Sequence, residues 1–503
     1  MERPTMLVLR NAHVIDAAQA IDEITDVIVD DGRILSVGKN GAPPDAESLD
    51  LSGLYLSPGW IDLHVHAYGT LGFADPDSIG IYQGVTSFVE AGGPGIGTID
   101  EFAALLPDRL VTSLYAGPYI RPIGIVGLNF IEDDVRTLDS IAVTKWMDWV
   151  DDHPGLVRYI KVGAFGNIGS GPLKLGKGLA EILSLPLYVH IGEYETRSDQ
   201  PVTTEDAFKV VEAGDIVTHV YHGNLGQVLD DTGRVQPYVR DAERRGALFD
   251  IGFGGYNFSW SVAERAFAQD LRPHIVSSDL QQFNVMGPVY SLANVMSVMM
   301  RLGMTFNEVI AAVTERPAKA LRLDDRSGSL KPGLPADITV FRKEDCEFDL
   351  ADCYTQTRKG NSRLEPVMTF KRGERFNCDL FRAQDERNWF MQIVEDRVPI
   401  SAERLSPAQL QFLATLRTTL ESIEWEIYAA KRLNLEKAIQ LQQAFHHARQ
   451  SCLLPLGEAL RAVYDCFIEN PFTMQIGLFL VRLDRSFALK RFDDVLGRRP
   501  LAA

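Results

Sequence analysis

Only ten histidines occur in 503 residues, and four of them, His64, His66, His190 and His219, fall near the ends of short apolar runs. His64 and His66 close the run GWIDLHVH as a His-Val-His pair. Two residues apart on a strand means the same face, so both imidazoles can reach one ion. Lys161 lies in VRYIKVG, His190 in LPLYVHIG, His219 in DIVTHVY, and Asp279 ends HIVSSD. Lys161 to His190 and His190 to His219 are each 29 residues apart, and His219 to Asp279 is 60, about two such units. Regular intervals put these groups at one height in successive strands. A lone histidine at a strand end is ordinarily a hydrogen-bonded loop residue, but four at matching positions with an Asp and a Lys argue for a site. Several histidines with a carboxylate form the donor set of zinc-like divalent ions. Such ions bring water close to ionisation at neutral pH and polarise carbonyls, which is the chemistry of hydrolysis. Lys161 follows Tyr159 and Ile160 in a strand that is buried by pattern. A buried ammonium is costly unless its pKa falls or it is paired. A neutral amine can add CO2 to become a carbamate, a carboxylate-like bridge between two metals.

The elements that must position these groups follow from the rhythm of the chain. Eight apolar runs recur between about 56 and 328: GWIDLHVH, GVTSFVEAG, LVTSLYAGP, VRYIKVG, LPLYVHIG, DIVTHVY, ALFDIGF and HIVSSD. Most are separated by helical patterning such as VTTEDAFKVVEAG and FSWSVAERAFAQ. Strand–helix alternation implies parallel strands, and eight units in this length predict an α/β fold, a (β/α)8 TIM-type barrel with its site at the C-terminal strand ends. Before and after it, MLVLRNAHVID, DVIVDDGRILSVG, GSLKPGLPADITVFR and PVMTFKRGERF read as short antiparallel strands. Residues 1–55 and 329–380 are therefore expected to make one small β-sandwich domain, with 56–328 as the barrel. From 385 to 503 the texture is helical. Leu410, Leu413, Leu416, Leu420, Ile423 and Ile427 keep the spacing of an amphipathic stripe, Ser406-Pro407 reads as a helix start, and further helices are expected at 434–450, 455–468 and 474–496.

Composition narrows the function classes. The net charge of −18 argues against a nucleic-acid binder, which needs a basic face. Five cysteines, all beyond residue 345 and with no CxxC pair, argue against a disulfide framework and a cysteine zinc site. The start MERPTMLVLR lacks a signal-peptide core, and no apolar run is long enough to span a membrane. A cytoplasmic protein acting on a small molecule is expected.

PGWIDLHVHAYG, then KVG, VHIGE, DIVTH, SSDLQQFNVMGPVY and GSLKPGLPADITVF, resemble the amidohydrolase superfamily, and within it the dihydroorotase- and D-aminoacylase-like amidohydrolase/deacetylase group. The resemblance covers about residues 6 to 345. It implies two divalent ions, with zinc the expected metal. His64, His66 and Asp279 would hold one, His190 and His219 the other, and Lys161, carbamylated by CO2, would bridge both. It also implies hydrolysis of an amide bond by a metal-bridging hydroxide, with Asp279 as general acid/base. The chain departs from the group at Thr218-His219-Val220-Tyr221-His222-Gly223, where the group carries T-H-C-F-N-G. Tyr68, His222 and Gln282 rank highest as substrate contacts. Glu193, Tyr194, Tyr221, Phe253, Tyr256, Gln281 and Met286 follow, with Arg121 and Arg197 as candidates for a substrate carboxylate. A cyclic amide or imide and an acyl ester suit the same core. A deaminase suits it less, since deaminases of the superfamily tend to use one metal and no bridging lysine. A non-catalytic relative ranks last, because all six ligand positions are present. A homo-oligomer, assembled through the helical tail, is expected.

Overall fold

The computed structural model describes residues 6–39, 46–104, 110–127, 141–165, 169–192, 203–385, 392–425, 435–469 and 476–497. Strands β1 (Met6–Asp16), β2 (Ile21–Asp30), β3 (Arg33–Val37), β4 (Glu47–Asp50) and β5 (Tyr55–Pro58) open the chain. Next come three parallel strands, β6 (Trp60–Val65), β7 (Val85–Ala91) and β8 (Ser113–Gly117), and four more, β9 (Ile160–Gly163), β10 (Leu187–His190), β11 (Ile216–Thr218) and β12 (Leu248–Asp250). Isolated parallel bridges link Ala116 to Val157, Tyr119 to Lys161, Asp250 to Ile275 and Val65 to Leu280. Seven of the eight expected runs are thus strands. The eighth, HIVSSD, is not a regular strand, yet it lies between its neighbours: Ile275 bridges Asp250, the N–H groups of Phe253 and Gly254 bond Ser277 O (3.3 Å) and Ser278 O (3.0 Å), and Asp279 N–H bonds His64 O (2.7 Å). Its backbone turns into the left-handed region at Asp279 (φ 49°), which no continuous strand tolerates. Helices between the strands, such as Gly171–Ile182 and Pro237–Arg245, turn apolar stripes inward, burying Leu173 and Leu179 in one and Val239 and Ala242 in the other.

The second flank adds β13 (Ile338–Glu344), the hairpin β14 (Phe348–Ala351) with β15 (Thr357–Gly360), then β16 (Arg363–Lys371) and β17 (Glu374–Asn377). Both flanks enter one eight-stranded sheet of order β17-β16-β13-β5-β1-β2-β3, with β4 also on β1. The seam pairs Ile338 with Pro58 and Phe341 with Tyr55. The flanks are not purely antiparallel as their sequence suggests. β4 and β5 run parallel to β1, one after the other along it, β4 beside Leu7–Arg10 and β5 beside His13 and Val14. Lys371 pins this sheet to the strand–helix body, bonding Asp337 Oδ2 (2.6 Å), Thr86 O (2.9 Å) and Ser113 Oγ (2.8 Å).

The tail forms helices Pro407–Glu421, Leu435–Ser451, Leu456–Asp465, Ile476–Leu480 and Arg485–Gly497. The first begins at a capping box, with Ser406 and Gln409 bonding each other's backbone N–H, and Pro407 at its first turn. The helix expected over 474–496 is two helices. Asp484 accepts the N–H of Phe487 (2.8 Å) and restarts the chain there. Leu410, Leu413, Leu416 and Leu420 are buried, Ile423 packs beside them, and Ile427 lies outside the described residues. Removing 385–503 should therefore expose a large apolar surface and cause aggregation or an altered mass in solution, read by light scattering. A soluble truncation with unchanged mass and kinetics would contradict this. No helix among the described residues is long and apolar enough to cross a membrane.

Candidate active site

Six groups named from spacing are brought into one buried cluster at the strand ends. The His64 and His66 rings lie 5.6 Å apart, His64 and His219 5.1 Å, and His190 and His219 4.3 Å. Lys161 Nζ is 2.8 Å from His64 Nε2. Asp279 Oδ1 lies 3.4 Å from His64 Nε2 and 3.2 Å from His66 Nε2. His64, His66 and Asp279 could hold an ion together, their donor atoms lying within 4.8 Å of one another.

The neighbours fix how each imidazole is presented. Tyr188 OH donates to Asp250 Oδ2 (2.6 Å), so it accepts from His64 Nδ1 (2.8 Å) and leaves Nε2 toward Lys161 and Asp279. Thr218 and Ser277 hydroxyls also donate to Asp250 Oδ2, each at 2.7 Å. His66 Nδ1 faces Glu90 Oε1 (3.3 Å), while the other Glu90 oxygen takes the N–H groups of Ala67 (2.6 Å) and Tyr68 (2.8 Å). His219 Nδ1 donates to Gly252 O (2.6 Å), and His190 bonds the backbone of Gly192. These tautomers follow from the hydrogen-bond network. Asp62, under the His-Val-His pair, accepts from Ser278 Oγ and Ser278 N, tying the first strand to the segment that carries Asp279.

Electrostatics favour the neutral form of three of the four histidines. Burial pushes His64, His190 and His219 well below the ordinary imidazole value, helped by Lys161. Burial alone would lower His66 too, but Asp279 and Glu90 outweigh it and hold that ring above its usual value. Burial lowers Lys161 to about 8 against the pull of Asp279, Glu90 and Asp250. Burial also raises Asp62 to about 7 and Asp250 to about 6.

This donor set fits a metal. With its Nδ1 proton directed at Glu90, His66 turns the Nε2 lone pair on Asp279 Oδ1, two electron-pair donors face to face at 3.2 Å. A cation must lie between them, either a proton on His66 or a divalent ion. Holding an imidazole by its second nitrogen is the arrangement that makes a good metal ligand. Tyr188→Phe should therefore weaken metal affinity about 10–100-fold, read by chelator competition, since it unlocks His64 and strips a donor from buried Asp250. Unchanged affinity would show the relay to be scaffolding only.

His219 (φ 69°) and Asp279 (φ 49°) both sit in the left-handed region. For non-glycine residues this costs about 1–3 kcal/mol each and persists only where the surroundings enforce it. Gly252 and Gly254 supply the room: a Cβ on Gly252 would meet Thr218 Oγ1 at 2.1 Å, and one on Gly254 would meet Asp279 Oδ2 at 2.3 Å.

The other named residues scatter. His222 is buried against Gly192, accepts Asn224 N–H at Nδ1 (3.2 Å), and is pulled down to about 4 by burial. Gln282 is buried with its N–H on Leu71 O (2.9 Å). Tyr68 meets Phe102 edge-on, and burial, with Glu101 beside it, pushes its hydroxyl up to about 12. Tyr221 OH donates outward to Leu271 O (2.9 Å), Phe253 stacks on Phe258, and buried Arg121 lies against Tyr119. Gln281 N–H bonds Asn284 Oδ1 (3.0 Å), Met286 packs on the main core and Tyr256 on the tail. Glu193, Tyr194 and Arg197 lie outside the described residues. Sequence reasoning missed Glu90, Tyr188, Asp250, Asn257 and Asn284. The signal was there for two: Glu90 and Asp250 are lone carboxylates at the ends of otherwise apolar strands.

Comparison with known proteins agrees with this geometry. The amidohydrolase family pattern matches residues 273–376. A deacetylase of Brucella anthropi is 32% identical over 355 residues, covering 69% of this chain and 86% of that protein. A solved structure described as a dihydroorotase superposes with a TM-score of 0.66 at 29% identity, over 75% of this chain and 98% of that one. Another, described as an adenine deaminase, gives 0.67 at 28% identity, over 74% and 99%. A matched family pattern and a relative 32% identical over 86% of its length place this chain in the amidohydrolase superfamily.

Proposed function

We propose that the chain is a metal-dependent hydrolase that cleaves the carbon–nitrogen bond of an N-acyl compound, as a deacetylase does. The observation that carries this is the buried cluster in which Asp279 and Lys161 share His64 Nε2. The deacetylase relative supports the choice of bond. His64, His66 and Asp279 would hold one divalent ion and His190 and His219 a second, with Lys161 as a carbamate serving both; nitrogen and oxygen donors of this kind suit zinc. When bound, the ions supply water ionised near neutral pH and a polarised acyl carbonyl. Lys161 at about 8 is roughly one-tenth neutral at pH 7, the form that adds CO2 with release of one proton. Asp279 Oδ1, between the two imidazoles, accepts the proton of the attacking water and returns it to the departing amine. Asn257 Nδ2, 3.4 Å from Asp279 Oδ2, steadies the carboxylate through the transfer.

In this reading β6 to β12 with the 274–279 segment close into one (β/α)8 barrel over residues 56–328. Residues 1–55 and 329–380 form the β-sandwich domain, and 385–503 the extension. The enzyme acts on a small molecule in the cytoplasm, without nucleic acid or membrane, as a homo-oligomer joined through the extension. Two other readings have support of their own. The dihydroorotase neighbour favours a cyclic amide or imide, and the adenine deaminase neighbour favours loss of an amine from a ring carbon. An acyl ester suits the same site. The test is elemental analysis with a screen of metal-loaded protein against N-acyl amino acids, cyclic imides, acyl esters and adenine. Near two ions per chain and release of the acyl group from an N-acyl amine are expected. Full activity at near-zero metal would overturn the mechanism, and turnover of adenine alone would overturn the bond assignment.

A further inference from the structure

The C-terminal helices build their apolar core around residues from the loops that carry the site. Leu71, five residues beyond His66, and Phe283, four beyond Asp279, are buried in that core, and Tyr256, next to Asn257, packs on it. The guanidinium of Arg482, in the turn between the last two helices, lies 4.2 Å over the Phe283 ring. Arg482 also acts on the buried Tyr256 hydroxyl, which burial raises and Arg482 opposes. Gln282 N–H bonds Leu71 O (2.9 Å) and joins the two loops. Within the Asp279–Val285 turn, Asn284 Nδ2 donates to Asp279 O (2.8 Å), Gln281 N–H to Asn284 Oδ1 (3.0 Å) and Val285 N–H to Gln281 O (3.1 Å). A turn bonded this densely moves as a unit, so displacement of Phe283 is passed to Asp279. Asp279 needs that support, because its left-handed backbone does not hold itself.

We propose that Arg482 is a positioning residue for the reaction: carried by the C-terminal helices, it clamps Phe283 and so sets the Asp279 carboxylate for proton transfer. The helical layer is then a working wall of the catalytic mouth, on the side from which Asp279 serves the departing amine. The proposal rests on the reading of Asp279 as general acid/base. It is tested in the full-length, metal-loaded chain with Arg482→Met, which keeps the apolar stem, and Arg482→Lys, which keeps the cation. The readouts are kcat and KM on an N-acyl amino acid, melting temperature, and hydrogen exchange of residues 279–285. Arg482→Met should lower kcat about tenfold, the size of a half-buried cation–π contact expressed as a rate, with KM within about twofold and faster exchange in the turn. Arg482→Lys should restore most of kcat and the slow exchange. Arg482→Met with wild-type kcat and wild-type exchange would overturn the clamp, and so would a lowered melting temperature with kcat unchanged. Should Arg482→Met fail to fold, Phe283→Leu keeps the apolar volume, removes the ring, and carries the same expectation. Should the wild type hydrolyse no amide, the functional reading falls, and the exchange comparison still decides whether Arg482 holds the turn.

Discussion

Asp279→Asn is expected to lower kcat by at least about 100-fold, the lower end of what general acid–base catalysis contributes. Asn is nearly isosteric with Asp and also tolerates the left-handed backbone that this position adopts. Its one amide oxygen can stand in for Oδ1, which faces the two imidazoles and would meet a metal, while its amide nitrogen takes the place of Oδ2 beside Asn257. Fold and most of the metal content should therefore survive, checked by melting temperature and elemental analysis. What Asn cannot do is take up a proton near neutral pH. The loss should appear in kcat and kcat/KM together, with KM little changed, because the missing interaction belongs to the transition state. A variant that keeps metal and most of its kcat would remove Asp279 from the role and make His222, buried beyond Gly192, the next residue to test.

Lys161→Ala is expected to cost at least as much turnover, again about 100-fold or more, by a separate route. Lys161 is buried, 2.8 Å from His64 Nε2, and burial has lowered it to about 8. Removing this buried group also takes a partner from Asp279, Glu90 and Asp250, so the melting temperature is measured beside kcat to separate loss of fold from loss of the site. The second ion should be lost, because no other anionic group among the named ligands could replace a carbamate. A short carboxylic acid such as acetate or propionate should partly restore both metal and rate by occupying the gap left by the side chain. Lys161→Ala with full metal content and wild-type kcat would dismiss the carbamate, as would direct detection of an unmodified lysine in the fully active, two-metal enzyme.

The six proposed ligands were legible because each is a polar residue breaking an apolar run, five of them in or just past a strand and Asp279 at the end of the 274–279 segment, and because their intervals repeat. Their supports were harder to read for a physical reason. Tyr188 precedes His190 by two residues and looks like any strand aromatic, and only the fold shows its hydroxyl between His64 and Asp250. Asn257 and Asn284 are loop amides whose partner, Asp279, is distant or lies across a turn. Tyr354 is a sharper case. From the loop between β14 and β15 it donates its hydroxyl to Asn224 Oδ1 (2.6 Å) and receives Gly223 N–H (3.1 Å), fixing the loop that carries His222. Nothing local in Asp352-Cys353-Tyr354 announces a role 130 residues away. The helical stripe at Leu410–Leu420 was equally visible, but a stripe records only that a surface is covered. Which surface covers it, here a core of tail helices that also takes in Leu71 and Phe283, is a property of the whole chain.

The seam between β5 and β13 has a consequence for synthesis. Pro58 and Ile338, paired in the finished sheet, are made some 280 residues apart. At ribosomal speeds of about 5–20 residues per second, the β5 edge waits roughly 15–55 s for its partner. During that interval an open strand edge invites pairing with another nascent chain. Chains released before residue 338 should therefore be captured by chaperones far more than complete ones, and the parallel strands β6 to β12 emerge while their N-terminal neighbour is still unsealed. The price of closing a sheet with both ends of a long insertion is a prolonged dependence on protection, settled only when the last third of the polypeptide arrives.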